Sequence, residues 1–422
     1  MTHFGPATAG AAPVEEVAHL ALSVGRLLFQ NGSDTTQVQR AVTRFAAAFG
    51  SEVHLLVTYE ALLLTAVAGG QFRTKVSSRV LSMNVNLAAV AAVNRLIGEV
   101  EAGQRSLAEA RAELEDIERR PPVYGRWVVL VALALTAASL SRLFGGDWPA
   151  FAVAWLAGAA GTWLRQELGR RRVNLFIGAF AGALVSGLVG GMAALAGLSS
   201  TPALGLVAPG MIIVPGVPLV NGIQDMIKNH MTIGIARLGL GGVITLAIAF
   251  GLFFATVLTG AEITEDGPGR FVSVPEDAFF SALAALGYVF LFNVPGAITW
   301  ACVVCGLASH ATRTLSVHLG LGLVSGTLIG ALVAGLLAQS FARYFRVPAV
   351  AFAFPGVVAM VPGAFAFQAV IGGLKIVSGG ASAAPALVTQ TLALGLNCAL
   401  TLSAITVGIA VPLAVLAREG TQ

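Results

Sequence analysis

The chain has 422 residues, of which 56% are hydrophobic and only 11% charged, with 50 glycines and a formal net charge of +4. So apolar and charge-poor a composition excludes an ordinary soluble protein, and the glycine content suits helices packed closely in a bilayer. The basic residues sit mostly in short loops beside apolar segments, so the small positive charge calls for no nucleic-acid partner.

The character of the chain changes near Pro121-Pro122, and half of its charged residues lie before that point. Residues 14–31 carry helical periodicity. Gly32 ends that helix, and Ser33 or Asp34 can cap a second one running to about Phe49. Segments 53–59, 61–68 and 71–78 read as strands separated by short turns, and two more helices are expected at about 86–102 and 106–119. An ααβββαα order fits helices layered on a sheet. No basic-then-apolar leader is seen at the N-terminus, so residues 1–125 are expected to form an α+β domain in the cytoplasm.

Beyond residue 126 the sequence predicts about ten spans near the ~20 residues a bilayer requires. In a first unit, 126–260, they are 126–144, 148–165, 174–197, 203–222 and 234–260; in a second, 278–417, they are 278–294, 296–309, 316–341, 348–374 and 386–416. The fourth span of each unit carries the same motif, APGMIIVPGVPLVNGIQDMI at 208–227 and FPGVVAMVPGAFAFQAVIGG at 354–373. The pairs are Pro209-Gly210 with Pro215-Gly216, and Pro355-Gly356 with Pro362-Gly363; an amide follows the last glycine by five residues, Asn221 in one copy and Gln368 in the other. An odd number of spans per unit makes the second enter the membrane upside down, giving 5+5 inverted repeats. Charge agrees: Arg119, Arg120, Arg126, Arg165, Arg170, Arg171, Arg172, Lys228, Arg237, Arg343, Arg346 and Arg418 fall inside, against Arg142, Arg270, Arg313 and Lys375 outside. The expected fold is therefore a multi-pass α-helical protein of the inner cell membrane, both termini cytoplasmic, with an acidic outside loop at 261–277.

Two Pro-Gly pairs should break a helix, and in lipid a broken helix survives only where protein or a water-filled cavity satisfies the freed groups. Matched breaks in two halves point to a transport site. Half-helices starting after Pro215-Gly216 and Pro362-Gly363 would offer N–H groups to a carboxylate, and carbonyls freed before each break could hold an ammonium or a cation. Asn221 and Gln368 would add amide hydrogen bonds at a shared midplane site. Asp225 follows Asn221 by one turn and is the proton-coupling candidate; the plainer alternative is a helix-end carboxylate paired with Lys228. Gly322, Gly326 and Gly330, and Gly178 with Gly182, read as packing glycines. Cys302 and Cys305 are spaced like half a zinc site without a second ligand pair, so no metal is expected and the cysteines read as small buried side chains. Ser33, Asp34, His19, His54 and Glu60 show no hydrolytic spacing, so no enzyme is expected; no phosphate-binding glycine loop is present, so ATP is not the expected energy source, and no cofactor is implied.

On these residues the chain resembles the threonine/serine exporter family over about 14–417. Gly25, Arg26, Leu27, Leu28 and Gly32 match the opening of its soluble domain, and LFGGDWPA (143–150) and VPGVPLVNGIQDMIKNHMTIGIARL (214–238) match its first membrane half. NVPG (293–296) and FPGVVAMVPGAFAFQAV (354–370) are similar to its smaller companion module, which some relatives carry as a separate chain. The resemblance implies secondary, proton-driven export of threonine and serine, with dicarboxylates such as succinate as the alternative cargo. Two departures stand out: the spacer is four residues in the first copy and five in the second, and no acid follows Gln368 as Asp225 follows Asn221. The exposed helices of the soluble domain fit either gating of the cytoplasmic mouth or pairing of subunits in a homo-oligomer.

Overall fold

The computed structural model describes residues 14–68, 70–77, 85–261, 272–345 and 347–418. The expected strand end at Ser78, most of the acidic loop (Glu262, Glu265 and Asp266, with Arg270) and Arg346 lie outside the described residues.

The N-terminal domain follows the expected order: α1 (Val14–Gln30), α2 (Thr35–Ala48), β1 (Glu52–Val57), β2 (Leu62–Ala68), β3 (Gln71–Val76), α3 (Leu87–Glu101) and α4 (Leu107–Arg119). Gly32 takes φ +102°, a left-handed backbone that suits glycine, and Asp34 caps α2 by accepting the Gln37 N–H at 3.1 Å. The three strands form an antiparallel meander with Leu55 opposite Leu64 and Leu64 opposite Lys75. Alternation sends Val53, Val57, Leu62, Leu64 and Ala66 inward, where they join Val17, Leu28, Phe29, Val42 and Phe45 of α1 and α2 in one core.

The rest is helical: α5 (Arg126–Leu143), α6 (Trp148–Arg170), α7 (Leu175–Leu195), α8 (Pro202–Met211), α9 (Gly216–Ile227), α10 (Met231–Thr259), α11 (Val274–Leu291), α12 (Thr299–His318), α13 (Leu323–Phe345), α14 (Val350–Val357), α15 (Gly363–Gly379) and α16 (Pro385–Arg418). Among the described residues seven helices are long and apolar enough to cross a membrane, or eight when α8 and α9, bent by 60°, count as one span. The expectation of ten is thus met in part: α6 and α12 are long but less apolar, and α14 is short. The span expected at 296–309 starts at Thr299 and runs to His318; its neighbour starts at Leu323 rather than 316, after a turn in which Gly320 takes φ +89°.

Packing repeats between the two stretches. α5 packs on α6 as α11 does on α12, α6 on α7 as α12 on α13, α7 on α10 as α13 on α16, and α9 on α10 as α15 on α16. The stretches meet where α5 lies along α11 and where α9 and α10 cross α16 and α15. Gly326 and Gly330 press on α12, whereas a methyl group on Gly178 or Gly322 would meet nothing within 4 Å among the described residues, so those two are not contact points between them.

The turn before α6 is built on Asp147, which caps the helix through the Ala150 N–H (2.7 Å) and also accepts from the Ser199 hydroxyl and the Ser200 N–H and hydroxyl. Burial pushes its carboxyl up, but these four donors outweigh that and hold it at about 2, below the ordinary 3.8. Asp147→Ala is expected to cost about 1–2 kcal/mol, read as a lower melting temperature in detergent. A lowered folded-state value stabilises above the unfolded one, so the gap to Asp147→Asn should be full above pH about 4 and close as pH falls towards 2.

Candidate functional site

Both motifs break their helix at the second Pro-Gly pair, and in the same way. Pro215 (φ −77°, ψ 64°) and Pro362 (φ −79°, ψ 53°) each sit at the centre of an inverse γ-turn, closed by Gly216 N–H to Val214 O and Gly363 N–H to Val361 O, both 2.8 Å. The first pairs do not break the chain: Pro209 lies inside α8 and Pro355 inside α14, so the new half-helices start after the second pairs, as expected. Their glycines serve contact instead. A methyl on Gly210 would stand 3.2 Å from Phe367 of α15, and one on Gly356 2.9 Å from Cβ of Cys305.

The two breaks touch. A methyl group on Gly363 would lie 2.8 Å from the Val214 side chain, and one on Gly216 3.4 Å from Val361. Among the described residues no donor reaches the carbonyls of Ile212 and Ile213, and the Val217 N–H reaches no acceptor, so this break keeps free groups of both kinds. Two carbonyls of the second motif are already taken. Pro355 has no N–H for Ala351 O, and the Cys302 thiol donates to that oxygen at 3.3 Å; the Ser309 hydroxyl donates to Gly356 O at 2.9 Å. Cys302 is therefore more than a small buried side chain.

A cavity of about 840 Å³ opens on the first break. Ile212 to Pro218 form one wall, Arg165 and Gln166 of α6 another, and Tyr124 with Phe290–Asn293 a third.

Asn221 and Asp225 face the N-terminal domain. The Asn221 amide donates to Gly32 O (2.9 Å), Arg237 donates to Ser33 O (2.9 Å), and the Thr35 N–H donates to Asp225 Oδ1 (3.0 Å). Asp225 and Arg237, 0% and 2% exposed, form an ion pair at 3.2 Å, and the guanidinium also stacks 4.9 Å over Phe29. Lys228 pairs with Asp34 (3.2 Å) rather than with Asp225, and His230 lies 3.3 Å from the Thr36 hydroxyl. The turn between α1 and α2 is thus docked on the junction of α9 and α10. A second attachment holds the turn after α11: Leu87 and Ala88 at the start of α3 donate N–H groups to Phe292 O and Asn293 O (2.9 and 3.0 Å), and Asn293 bonds Asn86 and Val123 through its side chain.

The site residues singled out in the sequence therefore divide. Pro215, Gly216, Pro362 and Gly363 come together; Pro209, Gly210, Pro355 and Gly356 flank them in the short helices. Asn221 lies towards the N-terminal domain. Gln368 is half-buried on α15, which runs the other way, to Ile371 and Lys375 beside Gly260 at the far end of α10. The two amides do not share a site.

Sequence reasoning missed a second buried acid. His310 Nδ1 stands 2.9 Å from both Asp277 oxygens, Thr314 donates to Asp277 at 2.7 Å, and Arg313 lies 3.5 Å from His310 Nε2. Ser309, next to His310, is the residue that holds Gly356. An ionisable residue inside ACVVCGLASHATR was the available signal. Arg165 was read only as a loop charge, although it lies within α6.

Comparison with known proteins agrees with this architecture. The family model described as "Putative threonine/serine exporter" matches residues 19–259, more than half of the chain, and that of "Threonine/Serine exporter, ThrE" matches 277–415. The chain belongs to the threonine/serine exporter family. Within the family it is 26% identical over 375 residues to the "Probable threonine/serine exporter" of Mycobacterium tuberculosis (84% of this chain, 69% of that one). It is 24% identical over 377 residues to the "Threonine/serine exporter" of Corynebacterium glutamicum (83% and 74%). It is also 29% identical over 257 residues to the "Probable succinate transporter subunit YjjP" of Klebsiella aerogenes (58% and 94%). No solved structure matches the chain. The family hits and the apolar helices make it a multi-pass membrane protein.

Removing one partner of a buried ion pair leaves the other uncompensated, at about 3–5 kcal/mol. Arg237→Met is expected to lower the melting temperature and expose the N-terminal domain to protease, and Asp225→Asn in the same chain should recover much of the loss. A single Arg237→Met variant as stable as the parent would show that the pair bears no such load.

Proposed function

We propose that the protein is a secondary active exporter of threonine and serine in the inner cell membrane, both termini cytoplasmic, working by alternating access of two inverted five-helix halves. The observation that carries the reading is the pair of matched γ-turn breaks in contact, Pro215-Gly216 against Pro362-Gly363, within halves that repeat one packing pattern. The free carbonyls of Ile212 and Ile213 and the free N–H of Val217 suit the ammonium and carboxylate of an amino acid. The names of the Mycobacterium and Corynebacterium relatives support the substrate.

The dicarboxylate reading has its own support: three arginines, Arg126, Arg165 and Arg170, line the cavity on the first break, and the Klebsiella relative is named a succinate transporter subunit. Liposomes loaded with labelled threonine separate the two. Uphill efflux under a pH gradient, inhibited by serine and abolished by a protonophore, is the expected result. Succinate flux without threonine flux would keep the carrier and overturn the cargo.

Proton drive on this reading runs through the buried acids, Asp225 beside Arg237 and Asp277 beside His310. Asp225→Asn and His310→Gln are each expected to remove the response of flux to the pH gradient while leaving downhill movement. Coupling that survives both substitutions would overturn it.

A further inference from the structure

We propose that Arg165 is the carboxylate-binding residue of the cavity on the first break, which takes a small carboxylate carrying hydrogen-bond donors elsewhere. This rests on the carrier reading above and deepens it. Among the described residues three arginines line the cavity, and no aspartate or glutamate does. Two of the three are engaged: Arg126 and Arg170 share Glu167, at 3.8 and 3.7 Å. The Arg165 guanidinium has no acceptor among the described residues, within a helix that packs on α5, α7 and α8. A cation without an ion partner beside packed apolar helices is costly to hold and points to a substrate path. A planar guanidinium offers a carboxylate two parallel N–H donors.

The neighbours fix its place and add the complementary chemistry. A methyl group on Gly182 of α7 would stand 2.6 Å from Cγ and 2.8 Å from Cδ of Arg165, so that glycine makes room for the arginine stem. Gln166 donates its amide to Arg126 O at 3.0 Å, and its buried Oε1 has no partner among the described residues. Across the cavity, Ile212 and Ile213 present carbonyls without donors. Among the described residues, three acceptors without donors thus line the cavity together with one cation without an acceptor. A ligand with a carboxylate at one end and N–H or O–H donors at the other fits this arrangement, and a volume of about 840 Å³ leaves room for it with water.

The test is equilibrium binding to the full chain in detergent, with labelled threonine, succinate, threoninamide and inorganic phosphate as probes. Arg165→Gln is expected to weaken carboxylate binding about 10- to 100-fold, as loss of a charge-assisted pair does, with Arg165→Lys in between. Threoninamide, which lacks the carboxylate, should bind both proteins alike. If the parent takes succinate but not threonine, and Arg165→Gln loses it, Arg165 stands as the carboxylate-binding residue, while the donor-bearing ligand and the amino-acid reading both fall. If Arg165→Gln binds threonine as the parent does, export stands and the inference falls. Phosphate bound as tightly as a carboxylate, or no binding of either carboxylate by the parent, would also overturn it.

Discussion

The structure depends on one constraint: in hydrocarbon, each backbone N–H and C=O must find a partner within the protein. Long uninterrupted helices meet it by themselves. Pro215 and Pro362 interrupt it, and each interruption is closed at once by a γ-turn that spends the next glycine's N–H on the carbonyl before the proline. Pro355 would leave Ala351 O unpaired, and the Cys302 thiol fills that gap from α12. Among the described residues, the groups left free at the first break are the Ile212 and Ile213 carbonyls and the Val217 N–H. Ile212 and Ile213, with free carbonyls, sit where a cavity reaches the first break, where water or cargo can serve the exposed groups.

The same accounting explains how the N-terminal domain is attached. Helix ends leave groups unsatisfied, and both attachments use them. The first N–H groups of α3 go to carbonyls of the turn after α11, and Gly32 O and Ser33 O, at the turn between α1 and α2, accept from Asn221 and Arg237. Arg237 is affordable there because Asp225, Phe29 and the Ser33 carbonyl surround it. One domain thus holds a turn from each membrane stretch, so any change in the separation of those turns acts on these bonds.

Much of this was legible in the sequence. Periodicity and turn residues located the strands and helices to within a few residues over most of the chain, and the repeated Pro-Gly pairs located both breaks. The half-helices begin after the second pair of each motif, where the sequence placed them. What local pattern did not show is that the carbonyl freed by Pro355 is met by the Cys302 thiol, 53 residues away in the sequence. Asn221 and Asp225 stood out correctly as unusual polar residues in an apolar span, but their partners, Gly32 and Thr35, lie 189 and 190 positions earlier. Local pattern carries no information at that range. Arg165 was hidden for the opposite reason: at the end of an apolar segment it looks like any topogenic arginine, and what sets it apart from exposed Arg170 is its packing against Gly182 and the lack of an acceptor among the described residues.

The seam between the halves constrains how the proposed cycle can move. α5 and α11 are fastened at both ends. Near the N-terminal domain, the Val123 N–H and the Tyr124 hydroxyl bond Asn293 and Val294 in the turn after α11. At the other end the buried Arg142 pairs with Glu276 and lies 4.7 Å from the Trp148 ring. Between them Gly287 lies so close to Thr136 that a methyl group there would overlap its hydroxyl. A seam joined in this way can act as an axis but not as a mouth. Alternating access, on this reading, falls to the other crossings, α10 with α15 and α9 with α16. Those are the helices that begin at or pack beside the breaks, where a γ-turn replaces the continuous helix and, at the first break, a pair of carbonyls is already without donors among the described residues, so bending there disrupts few helical hydrogen bonds.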